Sequence, residues 1–209
     1  MTKFLVVFDV DSTLIEDEAI ELLADYAGTR AQVSEITDRA MRGELDFSQS
    51  LRERVATLAG LDEKILGEVA AALRPTQGAK QLVDEIRIRG GKSAAVSGGF
   101  IQLLDPVKAE IGFDFSHANT LEVSSGKLTG KVSGEIVDRE VKARMLRTWA
   151  TELNLPLEKT IAVGDGANDL GMMEIAGLSI AFDAKPLVRQ KAKVSLNQRD
   201  LAQIISLLP

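Results

Sequence analysis

Four short apolar runs, Phe4–Phe8, Ser93–Val96, Thr160–Val163 and Ser179–Phe182, limit what this chain can fold into more than any other feature. Helical periodicities fill the intervals between them. Val141, Met145, Trp149 and Leu153, for example, recur every fourth residue and predict one buried stripe, with Trp149 in the core. Buried strands alternating with helices build a parallel sheet covered on both faces, so the expected fold class is α/β with a Rossmann-like core. At 209 residues and 45% hydrophobic composition the chain can bury such a core and still carry a sizeable insertion. The insertion has an evident place, because roughly 80 residues separate the first two runs, far more than one crossover helix requires. From Glu16 to about Leu73 the pattern is helical, with breaks near Gly28, Gly43 and Gly60, and Asp62 is an expected N-cap. This predicts a helical cap over residues 16–73, inserted after the first strand, with residues 1–15 and 74–209 forming the core domain. Thr120–Val123 and Lys127–Val132 flank Ser124-Ser125-Gly126, so a small β-hairpin excursion is expected between His117 and Val137.

Composition removes several classes of chemistry. Without cysteine there are no disulfides, thiolate zinc sites or cysteine nucleophiles. The single histidine, His117, is one too few for the usual phosphohistidine arrangement and reads as a bystander. No segment approaches the roughly 20 apolar residues that span a bilayer, and the run between Lys3 and Asp9 is too short for a signal-peptide core, so a cytoplasmic location is expected. A net charge of −6 with no local basic cluster argues against nucleic acid or an anionic membrane and favours a small-molecule partner. The chemistry must rest on carboxylates, lysines and hydroxyls, with or without a metal.

Those groups gather at strand ends. Val-Val-Phe-Asp9-Val-Asp11-Ser-Thr13-Leu places two carboxylates at the exit of a buried strand, where ligands of parallel α/β sheets bind. Ile161-Ala-Val-Gly164-Asp165-Gly166-Ala-Asn168-Asp169 repeats the arrangement at another exit, although Gly-Asp-Gly is also a common turn. If the two converge, Asp9, Asp165 and a backbone carbonyl provide the hard oxygen donors that magnesium prefers. Val96-Ser97-Gly98-Gly99-Phe100 follows a strand and opens a helical pattern, so its amides and hydroxyl can hold a phosphate dianion, or it is simply a turn. Lys142, near the start of the amphipathic helix, offers a point charge for phosphate. Gly91-Lys92-Ser93 is not a nucleotide P-loop, because Ile86 stands where its first glycine belongs and the triplet precedes a strand.

Taken in order, Asp-Val-Asp-Ser-Thr, Ser-Gly-Gly, the downstream lysine and Gly-Asp-Gly-Ala-Asn-Asp resemble the four motifs of the haloacid dehalogenase superfamily. Over nearly the whole chain the likeness is to those members that hydrolyse the phosphate monoester of free L-serine. It includes Glu18, Leu45–Val55, Val96–Phe100 and Ala181–Pro186. The resemblance implies magnesium-dependent hydrolysis of O-phospho-L-serine through an aspartyl phosphate, the last step of serine biosynthesis. It assigns Asp9 as nucleophile, Asp11 as general acid and base, Ser97, Gly98 and Lys142 to the phosphate, and Asp9, Asp11 and Asp165 to the metal. Asn168 and Asp169 support that site. Glu18 and Arg54 are assigned to the substrate's ammonium and carboxylate, with Met41 and Phe47 lining the cap. Val10 and Asp183 stand where relatives vary. A related ester such as phosphothreonine or phosphohomoserine is an alternative substrate. A receiver-type signalling domain also accepts phosphate on aspartate, but it is shorter and places its acidic residues differently.

Overall fold

The computed structural model describes all of residues 1–209. Seven strands form one sheet: β1 (Leu5–Phe8), β2 (Lys92–Phe100), β3 (Phe115–Ser124), β4 (Lys127–Ser133), β5 (Thr160–Gly164), β6 (Leu178–Phe182) and β7 (Val194–Leu196). Their spatial order is β4-β3-β2-β1-β5-β6-β7. All neighbours run parallel except β3 and β4. The middle of the sheet falls to β1 because its four residues are all buried. Alternate side chains of a strand point to opposite faces, and here both faces are covered. Leu5 and Val7 join the cluster that contains Val141, Leu146 and Trp149 of α7 (Arg139–Glu152) and Met172 and Met173 of α8 (Leu170–Ile175). Phe4, Val6 and Phe8 join the larger cluster with α5 (Ala79–Ile88) and α6 (Ile101–Ile111). Trp149 is 4% exposed and stacks on Phe115 with ring centroids 6.1 Å apart, as its place in the apolar stripe predicts.

Four helices lie between β1 and the helix that precedes β2: α1 (Ala19–Ala27), α2 (Arg30–Met41), α3 (Phe47–Ala56) and α4 (Lys64–Ala72). Gly28, Gly43 and Gly60 follow three of them, each with positive φ, a conformation that glycine adopts without strain. Asp62 accepts the Lys64 N–H at 2.9 Å and so satisfies a free donor of the first turn of α4. The chain enters and leaves the helical segment side by side. Thr76 N–H donates to the Leu14 carbonyl and Glu16 N–H to the Arg74 carbonyl, both at 2.9 Å. Asp17 accepts from the backbone and guanidinium of Arg74 across the same pair. The helices are not a detached unit. Leu23, Val33, Leu51, Val55 and Leu58 belong to the same apolar cluster as Phe8 and Val163. The α3–α4 turn is also bonded to the β-hairpin through Gly60 N–H to the Leu128 carbonyl and Glu63 N–H to the Gly126 carbonyl.

The hairpin differs from the sequence expectation. β3 begins at Phe115, runs parallel to β2 through Asn119, and only then pairs with β4. It is a full member of the main sheet as well as one arm of the hairpin. β7 has no counterpart among the expected strands because Val194-Ser195-Leu196, though it alternates, is too short to be told from loop. No helix is long and apolar enough to cross a membrane.

Candidate active site

The register of the three central strands assembles the site. Phe8 pairs with Ala95 on one side and Val163 on the other, so the end of β1, the Val96–Ser97 step of β2 and the end of β5 stand at nearly the same level. Asp9 follows β1, Ser97 lies within β2 and Asp165 follows β5, each positioned at that level by a buried strand. Asp9 N–H continues the ladder to the Val163 carbonyl at 2.9 Å. After it the backbone turns sharply, with Ser12 at φ 56°, and this returns Asp11 toward the start of α1.

Asp9, Asp165 and Asp169 present carboxylate oxygens within 4.8 Å of one another. Beneath them Lys142 is fully buried, its ammonium bonded to Asp9 and, at 2.7 Å, to Asp169. Lysines at helix starts usually lie in solvent, but this one does not. Lys142 sits on the face of α7 turned to the sheet, and the carboxylates more than offset the cost of its burial and raise its pKa above the ordinary lysine value. The other oxygen of Asp169 accepts Asp165 N–H at 3.2 Å and Gly166 N–H at 3.0 Å, holding the Gly-Asp-Gly turn. At Gly164 a β-carbon would collide with that carboxylate, so the glycine is required for close approach.

Three clustered carboxylates share one buried ammonium. Burial, with Asp169 adding to it, pushes Asp9 well above the usual carboxylate range, against the pull of Lys142. Asp165 is raised to about 6 by the same two causes. All-oxygen donors with an unbalanced negative charge fit a hard divalent cation, which would reverse both shifts.

Asp11 is placed differently. One of its oxygens accepts Ala19 N–H at 2.7 Å, at the start of α1, and the other accepts the Ser97 hydroxyl at 3.1 Å. Its carboxylate is not one of the three in that cluster. Burial raises its pKa despite these two bonds, which favour the charged form. Ser97 in turn accepts the Gly99 N–H at 2.7 Å.

A cleft of about 990 Å³ opens above these groups, between the strand ends and the inserted helices. Asp9, Asp11, Gly98, Asp165 and Asn168 line its floor, and Glu18, Met41, Phe47 and Arg54 its other wall. Ser97 and Lys142 lie just behind the lining and reach it through Asp11 and Asp9. Phe47 comes so close to Gly98 that a β-carbon there would be 2.8 Å from its ring. Glu18 opens onto the cleft yet is enclosed by protein on most sides, and this, with Asp11 nearby, pushes it up to about 7. Its carboxylate accepts the Ser12 hydroxyl at 2.7 Å. Burial lowers the pKa of Arg54, while Glu18, Asp11 and Glu21 oppose the loss of its charge. Met41 is 72% exposed although it lines the cleft. His117 is on β3, paired with Val96, and does not line the cleft. Asp138 and Lys185 do, and sequence reasoning named neither as a site residue. Lys185 lay within the Ala181–Pro186 stretch but offered no separate signal.

The chain belongs to the haloacid dehalogenase-like hydrolases, whose family model matches residues 6–174. Within that family its similarity runs to the phosphoserine phosphatases. It is 53% identical over 206 residues to the phosphoserine phosphatase of Streptococcus thermophilus, covering 99% of this chain and 96% of the relative. It is 52% identical over 204 residues to that of Streptomyces coelicolor, covering 98% of this chain but only 50% of the relative. A solved phospho-aspartyl intermediate analogue of a phosphoserine phosphatase superimposes with a TM-score of 0.94 at 42% identity, over the whole of both chains.

Proposed function

We propose that this chain hydrolyses O-phospho-L-serine to L-serine and phosphate, with Asp9 as covalent nucleophile. The observation that carries this reading is the placing of opposite charges around one cleft. A buried acidic floor with its lysine lies beneath, and Glu18 and Arg54 stand on the wall above it. Phosphoserine has three charged groups, and each would find a complement: the phosphate at the floor once a divalent cation balances its carboxylates, the ammonium at Glu18, the carboxylate at Arg54. The names of the relatives point the same way.

The chemistry follows from the residues. A carboxylate oxygen of Asp9 attacks phosphorus in line with the ester oxygen, forming an aspartyl phosphate as the bond to the serine oxygen breaks. Asp11 gives its proton to that departing oxygen, and its raised pKa keeps the proton available. In the second step water attacks phosphorus, Asp11 takes the proton back, and phosphate leaves Asp9. Lys142 neutralises Asp9, and we assign it to share charge with the group transferred there. We assign the cation as magnesium, held by Asp9 and Asp165 with Asp169 and Asn168 in support. Bound there, it would supply positive charge against the phosphate oxygens.

The reading is tested by measuring phosphate release from phosphoserine, phosphothreonine, phosphohomoserine, sugar phosphates and nucleotides, with and without magnesium. Phosphoserine is expected to have the highest kcat/KM, and a chelator is expected to abolish turnover. A higher kcat/KM for a sugar phosphate or nucleotide, or full activity in chelator, would overturn it.

A further inference from the structure

We infer that Asn119 is a positioning residue that fixes the phosphate-binding loop against the helix that carries Lys142. This rests on the reading that the floor of the cleft binds phosphate. Asn119 is 2% exposed and lies on β3, behind the site and outside the lining of the cleft. The pairing of β2 with β3 passes directly from Ser97 opposite Ala118 to Phe100 opposite Asn119. Gly98 and Gly99 are thus two extra residues, bulged out of the ladder toward the cleft. Bulges of this kind re-aim backbone beside functional sites and need something to hold them.

The side chain of Asn119 supplies the hold. Its Nδ2 donates to the Gly98 carbonyl at 2.8 Å. Its Oδ1 accepts the N–H of Val137 at 2.9 Å. Val137 immediately precedes Asp138, whose side chain caps α7 by accepting from Glu140 and Val141. Lys142 is one turn further on, its N–H bonded to the Asp138 carbonyl. One neutral amide therefore joins the Ser97–Gly99 bulge to the start of α7 and fixes the distance between two phosphate contacts that are far apart in sequence. The choice of residue is specific. Aspartate has no donor for Gly98 when ionised, leucine has neither donor nor acceptor, and a buried polar group that loses its partner is costly.

The test is Asn119→Asp, which keeps the size and the acceptor for Val137 but sets a carboxylate against the Gly98 carbonyl. The readouts are kcat/KM for phosphoserine and for an aryl phosphate, the inhibition constant of inorganic phosphate, and the fraction folded from thermal unfolding. Misplacement of a reacting group by about 1 Å can cost about 100-fold in rate. We therefore expect kcat/KM per folded molecule to fall by about 10- to 100-fold for both substrates alike, and phosphate inhibition to weaken with it. If Asn119→Asp does not fold, Asn119→Ser takes its place with the same readouts. It keeps a hydroxyl of shorter reach and adds no charge. Lower thermal stability with unchanged kcat/KM and phosphate inhibition per folded molecule would reduce Asn119 to a packing residue and overturn the inference. If the unaltered protein neither binds inorganic phosphate nor hydrolyses any ester, the reading of the cleft fails and takes this inference with it. If it does both and the variants match it, only the role of Asn119 is lost.

Discussion

Replacing Arg54 separates recognition of serine from recognition of phosphate. Arg54 lies in the last turn of α3 and lines the cleft, where Glu18, Asp11 and Glu21 are the charges that act on it. Its Nε donates to the Ser50 carbonyl at 3.3 Å, a weak bond within its own helix that leaves the outer edge of the guanidinium for a ligand. A planar guanidinium binds a carboxylate through two parallel hydrogen bonds, which a lysine does not reproduce. Truncating one partner of a buried charged pair costs about 2 to 5 kcal/mol. Arg54 is half-buried, so the lower end applies, and about 1.4 kcal/mol already corresponds to tenfold. Arg54→Ala is expected to lower kcat/KM for phosphoserine at least about tenfold, mostly through KM, and Arg54→Lys to recover only part of the loss. An aryl phosphate has no carboxylate, and its kcat/KM is expected to change by less than about threefold, because its contacts lie on the floor of the cleft. Steady-state kinetics with both substrates on the same preparations decide the matter. Parallel losses would mean that Arg54 serves closure of the helices or the phosphate itself, and no loss on either would refute the assignment of the carboxylate.

Asp11→Asn is expected to slow formation of the phosphoenzyme from phosphoserine by about 100-fold or more, and far less from an aryl phosphate, whose phenolate leaves without a proton. Single-turnover measurements with the two substrates check this. Lys142→Met leaves Asp9 and Asp169 buried without their cation and is expected to cost about 3 to 5 kcal/mol in denaturant unfolding at neutral pH. Lys142 has its pKa raised on folding, so its contribution is fully present below about pH 10.5 and is lost only as the pH rises through the higher folded value. In the presence of a chelator the carboxyls dominate. Asp165 at about 6 and Glu18 at about 7 keep protons in the folded protein that the unfolded chain has released. Stability is then expected to fall as the pH rises from about 4 to 7, and added magnesium to flatten that slope. Thermal unfolding at about pH 5.5 and about pH 7.5, with chelator and with magnesium, measures both.

Much of this arrangement was legible in the sequence because chemistry and topology coincide at strand ends. Asp9 and Asp165 follow apolar runs that could only be buried strands, and parallel strands bring their exits together. The long interval after β1 made the helical insertion evident. What stayed hidden depended on side-chain direction and on pairing between distant segments. Nothing in the sequence distinguishes a lysine on the buried face of α7 from one in solvent, so the bond from Lys142 to Asp169 was not foreseen. The orientation of Asp11 depends on the positive φ of Ser12, a conformation that serine adopts rarely. Asn119 was invisible because β3 mixes polar and apolar residues without clean alternation, and the residues it joins lie 21 and 18 positions away.

Trapping the phosphoenzyme tests the central claim most directly. Wild-type protein is mixed with phosphoserine labelled in its phosphate, quenched in acid within a single turnover, and digested for mapping. The label is expected on the peptide that contains Asp9, to be released by hydroxylamine as an acyl phosphate is, and to be missing from Asp9→Asn, which should also fail to turn over. Label on any other residue, or steady hydrolysis by Asp9→Asn, would contradict the covalent mechanism.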